Sequence, residues 1–305
     1  MTFLDPSVEP APPMPAVPRV IDSSSAADRP RPASLIERIP GQAVMEQLFA
    51  LHGEGPARSW WDRFVGTSPL TDQTRSWYQG ALGEIAVGSI LSRLGPEWTV
   101  LHAVPVGAGA SDIDHVVIGP GGVFTLNTKN HSGQSVWVAG RTLMVSGQKQ
   151  FHIPKAFHEA ARAQDLLTAA VGEAVPVTGV LVLVEPENLA VKEKPAGVTV
   201  ITERKLLRWL RRRPPVLTSE QVSRIAAVAA QPATWHADPP AREDPVALHG
   251  RFGALHARVR AARRRRRAWA RVRRSVHVAA RLAYACLLIY VGVFLLDFFL
   301  DGLRP

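Results

Sequence analysis

Cysteine is almost absent from this chain: Cys286 is the only one. An intramolecular disulfide is therefore impossible, and cysteine usage gives no sign of an oxidising compartment. His152 and His158 have no cysteine or second acid at metal-ligand spacing, which argues against zinc. The opening residues lack the basic-then-apolar pattern of a secretory leader, so none is expected. Gly119–Gly122 and Gly107-Ala108-Gly109 do not open helices as phosphate-binding loops do, and both read as turns. Lysine and acid are missing from Arg251 to Arg281, a window that holds twelve arginines. That window carries +12 against +10 for the whole chain, so everything else sums to about −2. The basic balance therefore says nothing about the surface of the body.

What is present is 46% hydrophobic and 20% charged residues over 305 positions, enough for one good-sized domain with appendages. Residues 1–33 are rich in Pro, Ala and Ser without apolar periodicity and read as a disordered tail. Ser34–His52 has weak helical character broken at Pro40-Gly41, and Trp60-Trp61-Asp62-Arg63-Phe64 is expected to pack on the domain that follows. The domain is expected over 55–236, with its core over 75–236. A helix near Ser76–Leu94 ends at Gly95-Pro96, and Trp98–Val104 reads as a strand. A second hairpin is expected at Ser135–Val145, then a helix over Lys155–Val171. Val177–Val184 is a continuous apolar run, as a strand buried on both faces requires. Val198–Ile201 is a short strand, Glu203–Arg212 a helix, and Thr218 caps a last helix through Ala229. The order predicts an α/β (α+β) sandwich of about 160 residues, then a linker over 237–250 and an arginine-rich helix over 251–277.

The most informative stretch runs from Asp112 to Asn130. Two apolar runs, Val116–Ile118 and Val123–Leu126, flank a Gly119-Pro120-Gly121-Gly122 turn and predict a β-hairpin. A turn centred between Pro120 and Gly121 pairs residues whose numbers sum to 241, placing Asp114 opposite Asn127 and Asp112 opposite Lys129. Side chains alternate along a strand, so these four polar groups share one face. A one-residue slip would scatter them. Two acids, an amide and an amine on one face suit a site that holds a metal and acts on a phosphate. Asp114 is the metal-binding acid of that arrangement, and Lys129 positions water or neutralises developing charge. Glu84, on the preceding helix beside Gly80, Gly83 and Gly88, is the best third ligand. Blander readings stand beside these: Glu84 as a first-turn helix acid, Asp112 as a residue starting the strand, and Asp114–Lys129 as a cross-strand ion pair. His115 falls on the opposite face as a packed residue, and His131 reads as a loop histidine.

Gly83-Glu84 on a first helix, then Asp112-Ile113-Asp114-His115, then Asn127-Thr128-Lys129-Asn130-His131 resembles the nuclease-related domain, NERD, over roughly Arg75 to Trp235. The resemblance implies the PD-(D/E)XK nuclease-like fold, a mixed sheet flanked by helices, and a role in DNA processing. It implies catalytic residues at Glu84, Asp114, Asn127 and Lys129. It also implies a divalent cation, Mg²⁺ or Mn²⁺, held by Glu84, Asp114 and Asn127. Asn127 departs from the family, which carries an acid there. DNA is the implied partner, and a module that has lost catalysis but still binds nucleic acid or a protein is the alternative.

At the C-terminal end, Leu282–Leu296 is fifteen residues without a charge. Extended over 278–300 it is long enough for a transmembrane helix, with Arg281 and Asp297 near its ends. The positive-inside rule then predicts a single-pass C-terminal anchor with the N-terminal domain in the cytoplasm. Arg263–Arg267 reads either as a collar for anionic lipid headgroups or as a nucleic-acid patch. A helix packed on the domain is the competing reading of the apolar run.

Overall fold

A computed structural model describes residues 34–53, 59–107, 111–238 and 242–301; the expected tail over 1–33 lies outside them. After a 3₁₀ turn at Leu35–Glu37 come three helices: α1 (Gln42–His52), α2 (Trp60–Val65) and α3 (Asp72–Leu91). Strands β1 (Thr99–Pro105), β2 (Asp112–Gly119), β3 (Gly122–Asn130), β4 (Ser135–Ala139), β5 (Thr142–Val145) and β6 (Gln148–Gln150) follow. Next are α4 (His152–Val171), β7 (Val177–Val184), β8 (Asn188–Glu193) and β9 (Val198–Thr202). The chain closes with α5 (Glu203–Arg211), α6 (Ser219–Ala229), α7 (Pro232–Trp235) and α8 (Pro245–Asp301).

Five strands form the main sheet in the order β1-β2-β3-β7-β9, antiparallel through β3 and parallel beyond it. A smaller mixed sheet runs β6-β5-β4-β8. The alternation of side chains decides what each face meets. Val116 and Ile118 pack with Ala163 and Leu167 of α4, Ile225 of α6 and Trp235 of α7. Val117, one residue out of phase, packs instead with Val87 and Leu91 of α3 and Leu206 and Leu210 of α5. The apolar run of β7 serves both sides: Val180 and Val182 join the α3–α5 core, while Leu181 and Leu183 join the core under β4 and β5.

The β2–β3 register has the expected sum, with His115 opposite Leu126 and Gly119 opposite Gly122. Asn188–Glu193, which has no clear alternation, is a strand because parallel pairing with β4 completes the second sheet. The Trp60–Phe64 cluster differs from expectation: Trp60, Trp61 and Phe64 are exposed, and Phe64 meets Trp269 of α8.

The start of α8 belongs to the folded body. Leu248, Phe252, Leu255, Val259 and Ala262 recur at helical spacing and are buried. The first four of them pack with Met45, Leu48, Tyr78 and Ala81. The expected transmembrane helix over 278–300 is overturned. Among the described residues, no helix is long and apolar enough to cross a membrane. The uncharged run Leu282–Leu296 is about 22 Å of helical rise against a hydrocarbon core of roughly 30 Å, and lengthening it to 278–300 takes in Arg281 and Asp297. The side chains of Tyr290 and of residues 293–301 lie outside the described ones. The single-pass anchor, the orientation drawn from it and the lipid-headgroup collar at Arg263–Arg267 lose their basis together.

Candidate functional site

The site is built where the main sheet forks. Pairing between β2 and β3 ends at His115–Leu126, and beyond it β3 pairs only with β7. In place of a β2 carbonyl, the Asp114 carboxylate accepts the Thr128 amide at 2.5 Å. Asn127 and Lys129 point to the same side of β3, the side covered by α4. Thr128 and Asn130 point to α3, whose Gly83 leaves room for them: a Cβ there would lie 3.3 Å from Asn130 Cβ and 3.4 Å from Thr128 Cγ2. This close approach brings Glu84, the next residue of α3, to the fork.

Glu84 is 5% exposed, and its carboxyl is pushed well above the usual carboxylate range by burial and then by the neighbouring Asp114 charge. Lys129 and a hydrogen bond from the Gly41 amide pull the other way. Burial also raises Asp114, against the charge of Lys129, the Thr128 amide and Lys155. Lys129 Nζ donates to the Thr128 carbonyl at 3.0 Å. Glu84 and Asn127 are buried, whereas Asp114 and Lys129 are only partly covered. The fork therefore opens outward on its Asp114–Lys129 side. Glu84, Asp114, Asn127 and Lys129 are thus brought to one locality.

Asp112 takes a different part. Its carboxylate bonds Arg242 at 2.5 Å, and the same guanidinium bonds Glu46 at 2.7 Å. It still raises the Glu84 carboxyl, but its strong partner is Arg242 in this largely covered ion pair, not Lys129. His115 is fully buried and shares a 2.8 Å Nδ1–Nδ1 hydrogen bond with His102. His131 stacks on His152 with ring centroids 5.4 Å apart. Burial and Lys129 are the first two causes that lower His152, to about 3, so it is neutral near pH 7.

Sequence reasoning missed Glu159 of α4. Asn127 Nδ2 donates to both of its carboxylate oxygens, at 2.9 and 2.8 Å. Burial lifts Glu159 to about 7 against the Asn127 hydrogen bond, and the Asp114 charge adds to the rise. An amide turned the other way would set its oxygen against a carboxylate, so the orientation follows from charge. Asn127 Oδ1 is then left buried, with no hydrogen-bond partner among the described residues. Among the described residues, no group of three or more His, Cys, Asp or Glu side chains is arranged to hold a metal ion.

A buried acid and a partly covered one, a lysine and an orphaned amide oxygen at a sheet fork now stand together on the helix–strand–strand order from Glu84 to Lys129. Residues 79–184 match the NERD family, the nuclease-related domain. The matched stretch begins in α3 and ends with β7, so it contains all four candidate residues and Glu159. No curated protein and no solved structure matches the chain.

Proposed function

We propose that this NERD-containing chain hydrolyses phosphodiester bonds in DNA at the Glu84–Asp114–Lys129 fork, with a divalent cation, Mg²⁺ or Mn²⁺. The observation that carries this reading is the placement of two carboxylates together where desolvation disfavours charge on both. Desolvation of both acids, with the Asp114 charge acting on Glu84, is the pattern by which a fold prepares a cation site. The donor set fits a hard cation: Glu84 and Asp114 supply charge, and the unpartnered Asn127 Oδ1 supplies a neutral oxygen. The cation would stabilise charge on the phosphate oxygens and activate water.

The chain's own groups do the remaining work. The Thr128 amide fixes one Asp114 oxygen. Lys129 holds a positive charge at the partly open edge of the fork, where a phosphate oxygen can accept from it in place of the Thr128 carbonyl. Glu159 holds the Asn127 amide by its nitrogen end, so the oxygen is the end offered, as an outer partner orients a metal ligand. In this arrangement Glu159 is a positioning residue.

A second reading has its own support. Asn127 brings no charge where the family carries an acid, and no three-acid cluster occurs among the described residues. A module that keeps the fold and binds nucleic acid or a protein partner without cutting would look the same at these two points. Calorimetric titration of the full chain with Mn²⁺ separates them. The catalytic reading expects saturable binding, lost in Glu84→Gln and Asp114→Asn but kept or tightened in Lys129→Ala, which removes a competing positive charge. Absence of Mn²⁺ binding by the unaltered chain would sink it and leave the second reading.

A further inference from the structure

We propose that a second site, formed by α1, α2, the start of α3 and α8, binds single-stranded nucleic acid through its phosphates and bases. It is separate from the fork: Thr71, at the cap of α3, lies thirteen residues from Glu84, about 20 Å along the helix. The proposal stands whether or not the fork cuts.

The first observation is a cavity of about 590 Å³ lined by Arg63 of α2, Arg258 and Arg265 of α8, and His52 of α1. Ser68 and Thr71 complete its polar wall, and no acid lines it. Arg258 and Arg265 are two helical turns apart and so share one stripe of α8. Thr71 caps a twenty-residue helix, whose partly positive end adds to the same field. His52 responds to that field: burial and then the Arg258 charge lower its pKa. Three cations around a hollow whose lining holds no acid suit an anion, and guanidinium geometry suits phosphate.

The second observation is independent and points to bases. Trp60 and Trp61 stack with ring centroids 4.2 Å apart, yet they are 65% and 56% exposed. They sit on the same short helix as Arg63. That helix is pinned to the arginine face of α8: Trp269 Nε1 donates to the Phe64 carbonyl at 3.1 Å and Arg265 Nη1 to the Arg63 carbonyl at 2.7 Å. Gly66, at φ 81°, closes the contact, because a Cβ there would come within 2.5 Å of the Ala262 carbonyl oxygen. Exposed indole faces beside a phosphate-sized basic hollow form a stacking platform with an electrostatic funnel. Duplex bases are stacked on one another and cannot reach such rings, so the occupant is a single strand.

Fluorescence anisotropy of a labelled oligothymidylate tests this on the full chain in EDTA, where cleavage plays no part. Trp60→Ala/Trp61→Ala should weaken binding about tenfold or more. Arg63→Gln/Arg258→Gln/Arg265→Gln should lower the slope of log affinity against log salt by about two. All five substituted side chains are exposed on the surface. Oligothymidylate should also quench the tryptophan fluorescence of the unaltered chain. Unchanged affinity in the tryptophan variant, equal affinity for blunt duplex, no quenching, or preference for phosphatidylglycerol vesicles over the oligonucleotide would each overturn the proposal.

Discussion

Asn127 donates to both carboxylate oxygens of Glu159, at 2.9 and 2.8 Å, and so joins β3 to α4 at the fork of the sheet. The pair places an acid one side chain away from the position where the strand itself carries none. Burial raises the Glu159 carboxyl from 4.5 to about 7. Between those values the folded chain holds a proton that the unfolded chain has lost. Stability therefore falls as pH rises through this window, and the penalty is complete above about pH 7. Glu159→Gln keeps one acceptor for Asn127 and removes the titration. Denaturant midpoints measured from pH 4.5 to 8 should give a flatter profile for the variant and a higher midpoint at pH 8.

Asp112 is expected to matter for stability and not for cation binding. The side chain of its partner Arg242 is 9% exposed, with Glu46 as the other acid. Asp112→Ala leaves a largely covered guanidinium short of one counter-charge and should cost about 3 kcal/mol. Mn²⁺ affinity of the folded variant should stay near that of the unaltered chain. Loss of Mn²⁺ binding with unchanged stability would return Asp112 to the site.

Gly83 sets the distance between α3 and β3. A Cβ at this position already meets Asn130 and Thr128 tightly, so Gly83→Leu must push the helix off the strand. Overpacking of this kind typically costs about 1–3 kcal/mol. Because Glu84 rides on the same turn, Mn²⁺ affinity should drop in the same variant. Chemical denaturation and calorimetry read the two effects separately.

The His102–His115 pair makes the chain acid-sensitive. Burial lowers His102 from 6.5 to about 4, and burial with His102 lowers His115 well below its ordinary value. A depressed histidine favours the neutral form in the folded state. Its contribution is whole above pH 6.5 and is lost as pH falls through about 4. For His102 alone the loss is on the order of 3 kcal/mol. His102→Gln should reduce the dependence of the unfolding midpoint on pH between 6.5 and 4.

The parts of the fold that were legible in sequence are those set by local chemistry. Gly119-Pro120-Gly121-Gly122 fixed the turn, and with it the register from Gly119–Gly122 to His115–Leu126; the strands part before Asp114 and Asn127 can pair. Val177–Val184 announced burial on both faces, and Thr218 caps α6 as its side chain suggests. What escaped was set by partners distant in sequence. Asp112 bonds an arginine 130 residues away, and no local pattern marks that pair. Glu159 reads as one more acid on an amphipathic helix. Its trace is positional: it stands three residues after Ala156 and four before Ala163, both buried, and so at the edge of the buried stripe. The apolar end of the chain suggested a membrane span by composition, although the preceding turns of the same helix pack on α1 and α3.

The most direct measurement is cleavage of circular DNA by the purified full chain in Mg²⁺ or Mn²⁺, beside Lys129→Ala. Cation-dependent nicking or linearisation by the unaltered chain is predicted, reduced about 100-fold or more in the variant. Equal cleavage by both proteins, or none by either, would contradict a hydrolytic site at Glu84, Asp114 and Lys129.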